Sequence, residues 1–145
     1  MSDIIVTPDS NLAALFAQHG GGNTYVFYVF EEGAFQNTYV PSGTQESFTV
    51  LRAYTDGMSL NSNIHIEDSR FIQIEGFTLR HRYISIVNSH HIKLLRLGLK
   101  NPCQPTSRYG EAINISDGSS YCLVEDCFII GSFVYGVIVQ RGAHH

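Results

Sequence analysis

One pattern recurs three times in this chain without an internal gap, and it leaves few folds open. Ser69-Arg70-Phe71-Ile72-Gln73-Ile74-Glu75-Gly76-Phe77-Thr78-Leu79 lies over Ser89-His90-His91-Ile92-Lys93-Leu94-Leu95-Arg96-Leu97-Gly98-Leu99. It also lies over Ser119-Ser120-Tyr121-Cys122-Leu123-Val124-Glu125-Asp126-Cys127-Phe128-Ile129. Superposed, the copies set apolar residues in four columns: Ile72/Ile92/Cys122, Ile74/Leu94/Val124, Phe77/Leu97/Cys127 and Leu79/Leu99/Ile129. Each copy reads as two apolar residues at period two, a two-residue bend, and two more at period two. That is the pattern of short strands burying one face.

A further strand precedes each copy, at Ile64-Ile66, Ile84-Ile86 and Ile113-Ile115, and Val137-Ile138-Val139 follows the last. A coil therefore holds three short strands. The serines opening the copies are 20 and then 30 residues apart, so the longer coil carries an insertion at Lys100 to Gly110. Periods of this size mark solenoids. A leucine-rich repeat would need a helical segment and an asparagine signature, and neither is present. Alternating strands with tight bends predict an all-β fold, a right-handed parallel β-helix of about four to five coils. Equivalent side chains of successive coils would then stack into buried ladders at strand spacing, ~4.8 Å.

Ahead of the repeats, Pro8-Asp9-Ser10-Asn11 offers helix caps, Leu12, Leu15 and Phe16 share a face, and Gly20-Gly21-Gly22 stops the helix. Thr24 to Phe30 is rich in β-branched and aromatic residues and reads as strand, with further strand-like pieces at Thr38-Tyr39-Val40 and Ser47 to Leu51. The expectation is a single domain, with residues 1–22 a helical cap over the first coil and 23–145 the coils. Ala143-His144-His145 aligns with Ser89-His90-His91, so the final histidines read as native sequence and the chain stops where another strand is due. This predicts the N-terminal part of a longer β-helix, with a terminal coil open to self-association.

Charged residues are 15% of the chain, as expected when the outer walls are polar but sparsely charged. The net charge of −4 supplies no basic field for nucleic acid. No apolar run approaches the ~20 residues of a membrane span. Cys103, Cys122 and Cys127 are odd in number and not closely paired, which argues against a disulfide framework. Cys122 and Cys127 fall in inward columns and read as small core residues; Cys103 reads as an exposed thiol.

The stretches Thr7 to Phe16, Tyr25 to Gly33, Ser42-Gly43-Thr44, Val50-Leu51-Arg52-Ala53, Ile74-Glu75-Gly76-Phe77 and Gly110 to Gly118 resemble the pectate-lyase-like β-helix superfamily. The start is most similar to its uronate polysaccharide lyases, of the alginate lyase and chondroitinase B type. The resemblance implies a secreted or cell-surface protein acting on a polysaccharide, anionic in the lyase case. Met1-Ser2-Asp3-Ile4 starts no signal peptide, which leaves cytoplasmic residence or a removed signal. The same fold hosts hydrolases, epimerases and tailspikes, so a non-catalytic binding or adhesion module and a self-assembling structural fragment are the alternatives.

A lyase would work by β-elimination, with a cation or arginine neutralising the uronate carboxylate and a base taking the C5 proton. Its groups would project from the strands at Ile64, Ile84, Ile113 and Val137. Outward positions there are His65, Ser85, Asn114 and Ile138, bordered by Glu67, Arg82, Glu111 and Asp117. His65 would be a base, and Arg82 and Ser85 would hold substrate. Lys100, Arg108 and Tyr109 flank the insertion, and a basic group beside a phenol suits proton abstraction and donation; the alternative is a solvated loop. Glu111, Asn114 and Asp117 offer oxygens to a hard cation such as Ca2+, unless Asn114 is an exposed strand residue and Asp117-Gly118 a turn. His65, His90 and His91 come from adjacent coils but match no zinc spacing. Lys93 and Arg96 read as surface residues of another wall.

Overall fold

A computed structural model of the chain describes residues 3–28, 40–60, 63–100, 111–131 and 135–139. In chain order its elements begin with β1 (Ile4–Val6), α1 (Leu12–His19), β2 (Thr24–Phe27), β3 (Thr49–Ala53) and β4 (Met58–Ser59). β5 (Ile64–Glu67), β6 (Arg70–Glu75), β7 (Phe77–Arg80), β8 (Ile84–Val87), β9 (His90–Leu95) and β10 (Gly98–Lys100) follow. β11 (Glu111–Ser116), β12 (Leu123–Glu125), β13 (Phe128–Ile130) and β14 (Tyr135–Val139) complete the series. The strands form three parallel sheets, in the orders β1-β2-β3-β6-β9-β12, β4-β7-β10-β13 and β5-β8-β11-β14. From β4 onward the chain visits these sheets in rotation. It is a right-handed parallel β-solenoid of about 5 turns, as the repeat predicts.

The expected ladders form. Leu51, Ile74, Leu94 and Val124 pair in sequence across four strands. Leu79, Leu99 and Ile129 do so in the second sheet, and Ile64, Ile84, Ile113 and Val137 in the third. Most members of these columns are fully buried, because each coil covers the apolar edge of the one below. Cys122 and Cys127 pack partly buried against the same core, and burial pushes both thiols up. In the β12–β14 rung the columns meet solvent, with Val137 46% and Val139 55% exposed.

Residues in left-handed backbone conformation bend the chain between strands and, at Phe71 and His91, near the start of a strand. Asp68, Phe71, Gly76 and His81 turn one coil, Asn88, His91 and Arg96 turn the next, and Asp117, Tyr121, Asp126 and Gly131 the one after. Among the described residues, no non-glycine residue in this conformation is β-branched, and most are Asp, Asn or His, the types that tolerate it best. The corner requirement explains why Ile and Val crowd the strands and stay out of the bends.

One corner is sealed by a buried serine column. Ser89 Oγ accepts from Ser69 N at 3.1 Å and donates to Val87 O at 2.8 Å. Ser119 Oγ accepts from Ser89 N at 3.1 Å and donates to Ser116 O at 2.7 Å. Each hydroxyl thus ties its own coil to the preceding one. Ser89→Ala would leave the buried Ser69 N–H without its acceptor, and should lower stability to urea by about 1–3 kcal/mol. An unchanged unfolding midpoint would show that the column is not needed.

At the N-terminus, Asn11 Oδ1 accepts from Ala14 N at 3.1 Å and caps α1, while Gly20, at φ 72°, ends it. Leu12 and Phe16 face the core, with the Phe16 ring edge-on to Tyr25 at 4.8 Å. Ahead of this helix stands β1, paired to β2 from Ile4↔Tyr25 to Val6↔Phe27. The first 22 residues therefore supply a strand rung as well as the helix, since Ile4-Ile5-Val6 is β-branched throughout and finds an open edge to pair with.

Candidate functional site: the outer face of the six-stranded sheet

The wall anticipated for catalysis forms in the expected register. His65, Ser85, Asn114 and Ile138 are one outward column across β5, β8, β11 and β14. His65 is exposed, and its Nε2 lies 3.2 Å from Glu67 Oε2. Ser85 and Asn114 are half-buried. Arg82 is also half-buried, and its Nε is enclosed with no hydrogen-bond partner among the described residues.

Lys100 ends β10, in a different sheet, where its carbonyl accepts from His81 N at 3.0 Å. Arg108 and Tyr109 lie outside the described residues, as does Cys103. Glu111 opens β11 and Asp117 follows its end, six residue steps apart, with Asn114 midway in the outward column. Among the described residues no three His, Cys, Asp or Glu side chains are grouped for a metal.

A denser arrangement occupies the outer face of the six-stranded sheet. The Thr49↔Ile72 pairing sets Phe48 beside Phe71, whose rings meet edge-to-face at 5.4 Å. Phe71 stacks on His91 at 4.8 Å, with 23° between planes, and His91 stacks on Tyr121 at 4.9 Å and 17°. The result is a column of four rings along the solenoid axis. Phe71, His91 and Tyr121 hold the same left-handed corner in successive coils, and strand spacing there matches the separation of stacked rings. Lys93 Nζ lies 4.5 Å from the centre of the Phe48 ring, within cation–π range.

His90 stands beside this column, between Arg70 of the preceding coil and Ser120 of the following one. Its Nδ1 is 2.8 Å from His91 Nδ1. Burial, then the charges of His91 and Arg70, hold His90 below the usual imidazole value.

At the opposite edge of the sheet, Tyr28 and Tyr54 stack at 4.2 Å, with Tyr54 60% exposed. Between the edges lies a charged floor. Glu75 is buried, and accepts from Arg52 Nε at 2.8 Å and Arg96 Nη2 at 3.1 Å. Arg96 Nε also lies 3.4 Å from Asp56 Oδ2. The carboxylate holds two half-exposed guanidiniums in place, so the floor is rigid as well as polar. Arg96 and Lys93 lie on this wall, as read from the sequence, and each contacts a neighbouring side chain there. In the aligned copies Phe71, His91 and Tyr121 share the third position, which falls outside the apolar alternation that marks the strands.

Comparison with protein-family models, with curated proteins and with solved structures finds no significant match to this chain.

Proposed function

We propose that this chain is a carbohydrate-recognising β-helix domain that binds polysaccharide along the outer face of its six-stranded sheet. The ring column beside a polar floor supports the reading. Sugars present apolar C–H faces and a rim of hydroxyls, and recognition calls for rings and hydrogen-bonding groups side by side. Tyr121, 57% exposed, and the Tyr28–Tyr54 pair leave more aromatic surface in water than folding alone requires. Arg70 and Lys93 add cations to this face beyond the paired Arg52, Arg96, Glu75 and Asp56, and they favour a polymer carrying carboxylates.

A catalytic reading rests on a second observation, the His65–Glu67 pair beside Ser85 and Arg82. In an uronate lyase the imidazole would take the C5 proton while Glu67 holds its orientation. The C5–H electron pair would form the C4–C5 double bond as the C4–O bond breaks, and the departing oxygen would take a proton from the imidazolium or water, leaving an unsaturated uronate and a free hydroxyl on the departing sugar.

Alginate, pectate and chondroitin separate these readings when each is incubated with the whole chain. Binding of at least one by calorimetry is expected, and Tyr121→Ala should weaken it about tenfold, as loss of one stacking partner does. No binding to any of the three would overturn the carbohydrate reading. Absence of the absorbance of a conjugated uronate, with binding intact, would remove the lyase reading alone.

A further inference from the structure

We infer that the His90–His91 pair couples proton uptake to the binding of an acidic glycan at the ring column. This rests on the reading of that column as a glycan-binding surface. The two Nδ1 atoms, 2.8 Å apart, make a hydrogen bond only if one carries a proton and the other a lone pair. The pair is thus stable when neutral or singly charged. With both rings protonated, both Nδ1 atoms are donors and the bond is lost.

The surroundings sharpen this limit. Arg70 and Phe71 face the pair from the preceding coil, Ser120 and Tyr121 from the following one, and Lys93 lies two residues along the same strand. The positive charge of Arg70 opposes further protonation of His90. A glycan carboxylate seated here would reverse that balance by offsetting the neighbouring charge. The pair as a unit holds the added proton, beside the faces of Phe71 and Tyr121. Linkage then runs both ways: the carboxylate promotes protonation, and acid strengthens carboxylate binding.

The test uses the full chain with a hexuronate oligosaccharide and a neutral gluco-oligosaccharide as probes. Calorimetry at pH 7.5, 6.5 and 5.5, in buffers of differing ionisation enthalpy, reads both affinity and protons taken up. The uronate carboxylates stay ionised across this range. Expected is uptake approaching one proton and up to about tenfold tighter hexuronate binding per pH unit, with no pH dependence for the neutral probe. His90→Asn keeps a polar partner for His91 without titrating, and His91→Phe keeps the column. Each should flatten the pH dependence, and a free-chain NMR titration should show the paired imidazoles moving in two coupled steps.

Hexuronate binding that is flat with pH, or a slope surviving in both variants, would overturn the coupling and leave the carbohydrate reading standing. Failure of both probes to bind at every pH would overturn the carbohydrate reading, and the coupling with it.

Discussion

Replacing Ile74 with alanine should lower the stability of this protein by about 2–5 kcal/mol, the range for removing a large side chain from a core that cannot close over the gap. Ile74 is fully buried, between Leu51 of one coil and Leu94 of the next. Backbone hydrogen bonds hold both neighbouring strands at fixed spacing, so neither rung can sink into the space. The loss reaches two interfaces at once, because stability in a solenoid is a sum over neighbouring coils. Gln73, one residue away and outward, provides the control: Gln73→Ala should change stability by no more than about 0.5 kcal/mol. Urea unfolding followed by circular dichroism makes the comparison, and similar midpoints for the two variants would refute the ladder as the main source of stability.

Gly21→Ala should be as damaging for the opposite reason. A Cβ there would sit 1.8 Å from Ser42 O and 2.7 Å from Ser42 C. These are backbone atoms and cannot rotate aside. The surrounding corner is tied from several directions: Gly22 N donates to Thr49 Oγ1 at 2.9 Å, Ser47 Oγ to Gly22 O at 2.8 Å, and Arg70 N to Ser42 Oγ at 3.0 Å. Relief of the overlap must therefore displace one coil against another, at about 3 kcal/mol or more. Gly20→Ala is the informative companion. It meets open space, and its cost is the left-handed backbone at φ 72°, about 1–2 kcal/mol. Thermal unfolding of both variants separates backbone strain from collision, and equal losses would show that the close approach of Gly21 to Ser42 does not matter.

The glycine triplet also shows what a linear reading misses. As sequence, Gly20-Gly21-Gly22 is a helix stop, and Gly20 does end α1. Gly21 answers to a different demand, the passage of the chain beside Ser42, twenty-one residues later. Nothing local announces that approach. The buried carboxylate of Glu75 is similar. Arg52 and Asp56 come from one coil, Glu75 from the next and Arg96 from the one after, and Arg52 lies in β3, before the copies that align without gaps. Their meeting depends on the register between β3 and β6, which the repeat alone does not supply. The expected wall of His65, Ser85 and Asn114 was legible because those positions alternate with isoleucines inside the repeat.

By itself, then, the sequence determined the solenoid: its apolar alternation has one period along each strand and another from coil to coil, and only stacked strands satisfy both. It also determined which side chains enter the ladders. Tertiary structure alone decided where the outer side chains converge. Those positions carry no burial signal. Phe71, His91 and Tyr121 become one column because corners of left-handed backbone place residues from separate coils one strand spacing apart, and at that corner His91 meets its chain neighbour His90.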